Sequence, residues 1–158
     1  MSGLRNRWSG LGLLAVCVLG LVISNQNSQA KPGIARQVIV PQEDRFTPFA
    51  ITIRAGQSVE WVNLDTDDHT VVSNDFFNTA GHNGTDVLLK GTDSNGGQPG
   101  TFTLHFSHPG TFVYYCRFHA HLDDDHQPAA PGPDGGIQDA NGNFGTPMNG
   151  IITVLAED

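Results

Sequence analysis

The 158 residues set an expectation of one domain. Eight Lys and Arg stand against sixteen Asp and Glu, a net charge of −8. That balance argues against nucleic acid as a partner, which requires clustered basic residues. It is compatible with a soluble exported protein and with steering toward a basic partner.

The first thirty residues read as a leader and not as part of the fold. Arg5 and Arg7 precede an apolar stretch from Leu11 to Ile23, and Ser28-Gln29-Ala30 has the small-x-small form of a cleavage signal. The expectation is a signal peptide over 1–30, cut before Lys31, with a single domain over 31–158. A retained membrane anchor is the alternative. It is disfavoured because a spanning helix needs about 20 apolar residues. A lipid attachment at Cys17 is disfavoured too, since Val16 precedes it and the apolar run continues beyond it. The protein is therefore expected to be exported, to the periplasm or the extracellular space, as a monomer with no stable membrane insertion after cleavage.

Cleavage changes two counts. Arg5 and Arg7 leave with the leader, so six basic residues face sixteen acidic ones, a net charge of −10. Cys17 leaves as well, and Cys116 becomes the one cysteine of a 128-residue chain. A lone thiol in an oxidising compartment is open to oxidation unless something uses it. Metal ligation is one such use.

The remaining sequence predicts β structure throughout. Strands are expected at Arg36 to Val40, Phe49 to Arg54 and Ser58 to Asn63, with a turn at Ala55-Gly56. Others are expected at His69 to Ser73, Val87 to Lys90, Thr101 to Phe106, Thr111 to Cys116 and Ile151 to Leu155. Several short strands separated by turn signals suggest an all-β sandwich or barrel. No segment has helical periodicity with caps. Trp61 and the phenylalanines are expected in the core. Phe76 to Gly100 is expected to be loop around one strand. In His126 to Pro147, nine of twenty-two residues are Gly or Pro, which predicts loop or partial disorder.

The chemistry gathers around Cys116. A strand is expected to end there, and His119 follows three residues on. A thiolate and an imidazole suit copper or zinc and not calcium or magnesium. Met148, the sole methionine after the leader, stands just before the last strand. His69 opens a strand after the acidic turn Asp65 to Asp68. Alone, each has a plainer reading: a core methionine, a surface histidine, an incidental Cys-x-x-His. Together they match two histidines and a cysteine in a plane with a long axial methionine, the blue-copper site.

The chain resembles the plastocyanin and amicyanin branch of the cupredoxins. The resemblance rests on Phe46-Thr47-Pro48 with Ile51-Thr52-Ile53, on Ala55 to Asn63, and on His69-Thr70-Val71. It continues through Pro99-Gly100-Thr101-Phe102, Pro109-Gly110-Thr111-Phe112, Tyr115 to His119 and Met148-Asn149-Gly150. It implies a Greek-key β-sandwich with one copper ion, cycling between Cu(I) and Cu(II), at one end. His69, Cys116, His119 and Met148 would be its ligands, with His119 the partly exposed one. The implied role is one-electron carriage between a redox donor protein and an acceptor, not catalysis.

One departure stands out. Family members usually place the methionine a few residues after the second histidine, whereas residues 120–147 intervene here. Lengthening a flexible loop from about 4 to about 28 residues adds only ~1.7 kcal/mol of closure entropy. Metal binding can contribute on the order of 10 kcal/mol. The insert does not therefore disqualify Met148. It also brings His121, Asp123, Asp124, Asp125 and His126, which could form a second metal site, replace Met148, or serve a single-domain copper enzyme or copper-handling protein. The plainer reading is a solvated acidic loop. A binuclear copper centre needs two cysteines, and a structural zinc site usually closes with tightly paired ligands. Asp139 to Asn143 resembles the start of a calcium loop, but its twelfth position would be Gly150 instead of Glu. His82, His105 and His108 read as surface or strand histidines.

Overall fold

The structure is a computed structural model that describes residues 34–40, 43–74, 76, 78–82, 84–139 and 141–157. The expected signal peptide and Cys17 lie outside the described residues. Ten strands form: β1 (Ile34–Val40), β2 (Ala50–Arg54), β3 (Gln57–Asn63), β4 (His69–Ser73), β5 (Thr85–Leu89), β6 (Gly100–Phe106), β7 (Gly110–Tyr115), β8 (His121–Leu122), β9 (Pro128–Ala129) and β10 (Asn149–Leu155). No helix occurs among the described residues, and none therefore is long and apolar enough to cross a membrane.

Two sheets make a sandwich. One has the order β1-β3-β6 and the other β2-β10-β7-β4-β5. Consecutive strands mostly lie in opposite sheets, the Greek-key habit: the chain stays within one sheet only from β4 to β5 and, around the insert, from β7 to β10. Hence β1 runs parallel to β3 and β2 parallel to β10, while the β3–β6, β4–β5, β4–β7 and β7–β10 pairs are antiparallel. The turn between β2 and β3 needs Gly56, whose φ of +86° is left-handed backbone.

Alternation along the strands makes the core. Val59 and Trp61 of β3 and Phe106 of β6 face inward from one sheet. Val71, Phe112, Tyr114, Ile152 and Val154 face them from the other. Trp61 packs edge-on to Tyr114, with ring centroids 5.3 Å apart, and stacks on Phe102 at 5.5 Å. The phenylalanines divide. Phe46, Phe106 and Phe112 are buried, but Phe49, Phe76, Phe118 and Phe144 are exposed, against the expectation. Those four lie outside the strands, where no pleat turns a side chain inward; Phe46, also outside them, is buried instead by packing on Tyr114.

The insert also differs from a structureless loop. It opens with the β8–β9 hairpin and continues to an isolated bridge between Ile137 and Thr146. Ile137 is buried and joins the core cluster. One apolar residue among many Gly and Pro is enough to fasten the segment, and it is too sparse to show as periodicity.

Candidate metal centre

Three neighbouring strands bring the expected residues to one end of the larger sheet. In antiparallel pairs the start of one strand lies beside the end of the next. His69 begins β4, Cys116 follows the end of β7, and Met148 precedes β10, in the sheet order β10-β7-β4. Cys116 extends the inward set of β7: Phe112, Tyr114 and Cys116 are all fully buried. The turn after the strand is closed by the His119 amide, which donates to the Cys116 carbonyl at 3.1 Å.

The ligand atoms of His69, Cys116 and His119 all lie within 4.8 Å of one another. Cys116 Sγ is 3.7 Å from His69 Nδ1. Bonds of about 2.1 Å to nitrogen and about 2.3 Å to sulfur, at trigonal to tetrahedral angles, span about 3.6–3.8 Å on a single metal. The two imidazole rings have centroids 5.2 Å apart. His119 Nδ1 is buried with no hydrogen-bond partner of good geometry in the protein. Such an orphaned nitrogen is costly unless something else takes its lone pair or proton. The donor set, one thiolate and two imidazoles, suits copper or zinc.

Electrostatics favour the ligating state of the thiol. Burial opposes ionisation of Cys116, but the His119 and His69 rings and the Phe118 and Thr70 amides outweigh it. Together they bring the thiol down from 9.0 to about 5. The Thr70 amide donates to the sulfur at 3.4 Å. The thiolate in turn raises His119; on His69 burial opposes, and the thiolate together with Asp65 and Asp44 outweighs it to raise the imidazole.

Met148 is fully buried, and its backbone is part of the cluster. Its carbonyl accepts from the Cys116 amide at 2.9 Å, and its amide donates to the His119 carbonyl at 3.4 Å. The insert residues His121, Asp123, Asp124, Asp125 and His126 make no comparable group of three among the described residues. Asp123 instead caps its own turn, accepting from the amides of Asp125 at 3.0 Å and Gln127 at 2.8 Å. Asp139 does likewise with Asn141 and Asn143, the ordinary work of Asx turns. His105 and His108 are exposed and His82 half-buried, away from the cluster.

Sequence reasoning missed two carboxylates. Asp65 Oδ2 is 3.2 Å and Asp44 Oδ1 3.4 Å from His69 Nε2. The four-residue spacing of Asp65 and His69 was visible, but in an acidic turn it resembles any solvated run. Asp44 reaches the site through a loop whose course only the tertiary fold decides.

A family model described as a cupredoxin-like domain matches residues 12–123, which includes His69, Cys116 and His119 and ends before Met148. Among solved structures, a purple cupredoxin from Nitrosopumilus maritimus is 20% identical, covering 75% of this chain and 98% of that one, with a TM-score of 0.47. Amicyanin from Paracoccus versutus is 19% identical, covering 78% and 83%, with a TM-score of 0.43. A mutant plastocyanin of fern is 25% identical, covering 75% and 98%, with a TM-score of 0.44. With the family match spanning well over half of its length, this β-sandwich belongs to the cupredoxin-like domain family.

Proposed function

We propose that the protein is a mononuclear type 1 copper protein that carries single electrons between exported redox partners. His69, Cys116, His119 and Met148 would hold the copper. The observation that carries this reading is the buried thiolate set 3.7 Å from His69 Nδ1, with the His119 ligand nitrogen converging on both within 4.8 Å.

Copper bound there supplies a one-electron couple between Cu(II) and Cu(I). The protein supplies rigidity and access. His69 and Cys116 are held at the ends of hydrogen-bonded strands, so the donors move little between the two states. His119, half-buried, sits beside Phe118, which is 51% exposed, and offers the exit to a partner surface. The acidic surface suits a basic partner. Residues 1–30 serve as the export signal, residues 31–158 form the working domain, and the approximate insert 120–147 is part of it.

Loading the reduced protein with copper and recording its visible spectrum tests the proposal. A strong thiolate-to-copper band that vanishes in Cys116→Ser is expected. Failure to take up copper, or uptake without that band, would overturn it.

A further inference from the structure

The Nε2 side of His69 faces two carboxylates. Its ring is fully buried, with Nδ1 toward Cys116 and Nε2 toward Asp65 and Asp44. Asp65 is itself 4% exposed and firmly placed. Its Oδ1 accepts the Thr66 amide at 2.7 Å, and its own amide donates to Asn63 Oδ1 at 3.0 Å. Asp44 has a left-handed backbone, φ +53°, a region that Asp enters more readily than most non-glycine residues. It lines a 340 Å³ cleft that the insert completes with Ile137, Gln138, Asp139 and Phe144. Among the described residues, the ion pairs of both carboxylates are with His69 and with no Lys or Arg.

We infer that Asp65, seconded by Asp44, is a positioning residue that fixes the tautomer of His69 and lowers the reduction potential of the site. The inference rests on the type 1 copper reading. An acceptor at 3.2 Å keeps the proton on Nε2 and leaves the Nδ1 lone pair free for the metal. A carboxylate on the outer nitrogen makes the imidazole a stronger donor. Negative charge at this depth also favours Cu(II) over Cu(I). Asp65 dominates because it is nearer and buried, whereas the Asp44 side chain is 40% exposed and its charge is screened.

The experiment compares copper-loaded wild type with Asp65→Asn, Asp44→Asn and Asp65→Glu. Asp65→Asn should keep the thiolate band and raise the potential. The expected loss is about tenfold in preference for Cu(II) over Cu(I), equivalent to about 59 mV for one electron. Asp44→Asn should move it less, and Asp65→Glu should restore most of the wild-type value. Ring nitrogen NMR of the reduced, diamagnetic protein should find the His69 proton on Nε2. The inference fails if the band persists while the potential of Asp65→Asn stays at the wild-type value, or if the proton is on Nδ1. Two metal ions per wild-type chain falling to one in Asp65→Asn would also overturn it, by putting a cation where a proton is assigned. Absence of the band in wild type itself would instead bring down the copper reading, and this inference with it.

Discussion

The Cys116 amide donates to the Met148 carbonyl at 2.9 Å, although the whole insert separates the two residues along the chain. The β7–β10 register continues through this bond, from the pairing of Asn149 with Tyr115. The sheet, and not the intervening loop, therefore places the Met148 backbone beside Cys116. With the backbone fixed this way, Met148→Leu should still bind copper through the other three donors. Loss of the axial sulfur should raise the potential. A redox titration that finds both potential and spectrum unchanged would mean that Met148 is not a ligand.

Gly150 explains why a glycine follows two residues after the methionine. A Cβ there would stand 2.5 Å from Tyr114 Oη and Cζ. Tyr114 is fully buried between Phe46, Trp61 and Phe112 and has nowhere to retreat. Gly150→Ala should therefore destabilise the fold by about 1–3 kcal/mol, as overpacking does. A thermal melt of the metal-free protein measures it; an unshifted melting temperature would show that Tyr114 can yield.

Cys116 sets a pH dependence for the metal-free protein. Its thiol is lowered from 9.0 to about 5, with burial opposed by His119, His69 and two amides. For an acid lowered in the folded state, the stabilisation is complete above the unfolded value and is lost as pH falls through the folded one. Folding should thus lose this contribution progressively as pH falls from about 9 to about 5, and copper uptake should weaken toward the acid end because protons compete for the sulfur. His69 and His119 are raised, so their own contribution runs the other way and fades as pH rises through their folded values. Ultraviolet thiolate absorbance, taken as the difference from Cys116→Ser, should persist from neutral pH down to about 5. Its disappearance near 9 would contradict the thiolate state.

Much of this architecture was legible because period-2 burial leaves a strong trace. His69–Ser73 matches its expected strand at both ends, and the others differ by three residues at most. The thiolate and the His119 turn were readable because strand end and candidate ligand coincide at Cys116. What stayed hidden was set by tertiary contact. The β8–β9 hairpin has two-residue strands, too short for any alternation to register. The Asp44 carboxylate lies 25 positions before His69, and only the packing of its loop brings it to Nε2.

Asn63 ties the loop that carries Asp65 and His69. Fully buried at the end of β3, its Nδ2 donates to the Asp67 carbonyl at 2.8 Å and to the Leu89 carbonyl at 3.0 Å. Its Oδ1 accepts the Asp65 amide. Asn63→Ala removes three hydrogen bonds, two of them buried, and a buried group left without its partner costs about 1–3 kcal/mol where water cannot replace the bond. We expect a loss of about 2–4 kcal/mol in denaturant unfolding after partial hydration. A broadened or shifted thiolate band should accompany it if the loop holds His69. A change below about 0.5 kcal/mol, the scale of ordinary surface substitutions, would show the loop to be held elsewhere.

The acidic run of the insert gives the last test. His121 stands on β8, paired with Ala129, and Asp123 spends its carboxylate on the hairpin turn. The ring of His126 lies against Phe76, with centroids 5.0 Å apart, and not toward Cys116. A metal here would have to displace those turn bonds without gaining a third convergent donor. The double variant His121→Ala with His126→Ala should accordingly load one copper ion per chain, like wild type. Its visible spectrum should also be unchanged, and its stability should lie within about 1 kcal/mol of wild type. Metal analysis at full loading decides the matter: two ions per wild-type chain falling to one in the variant would place a second site in the hairpin.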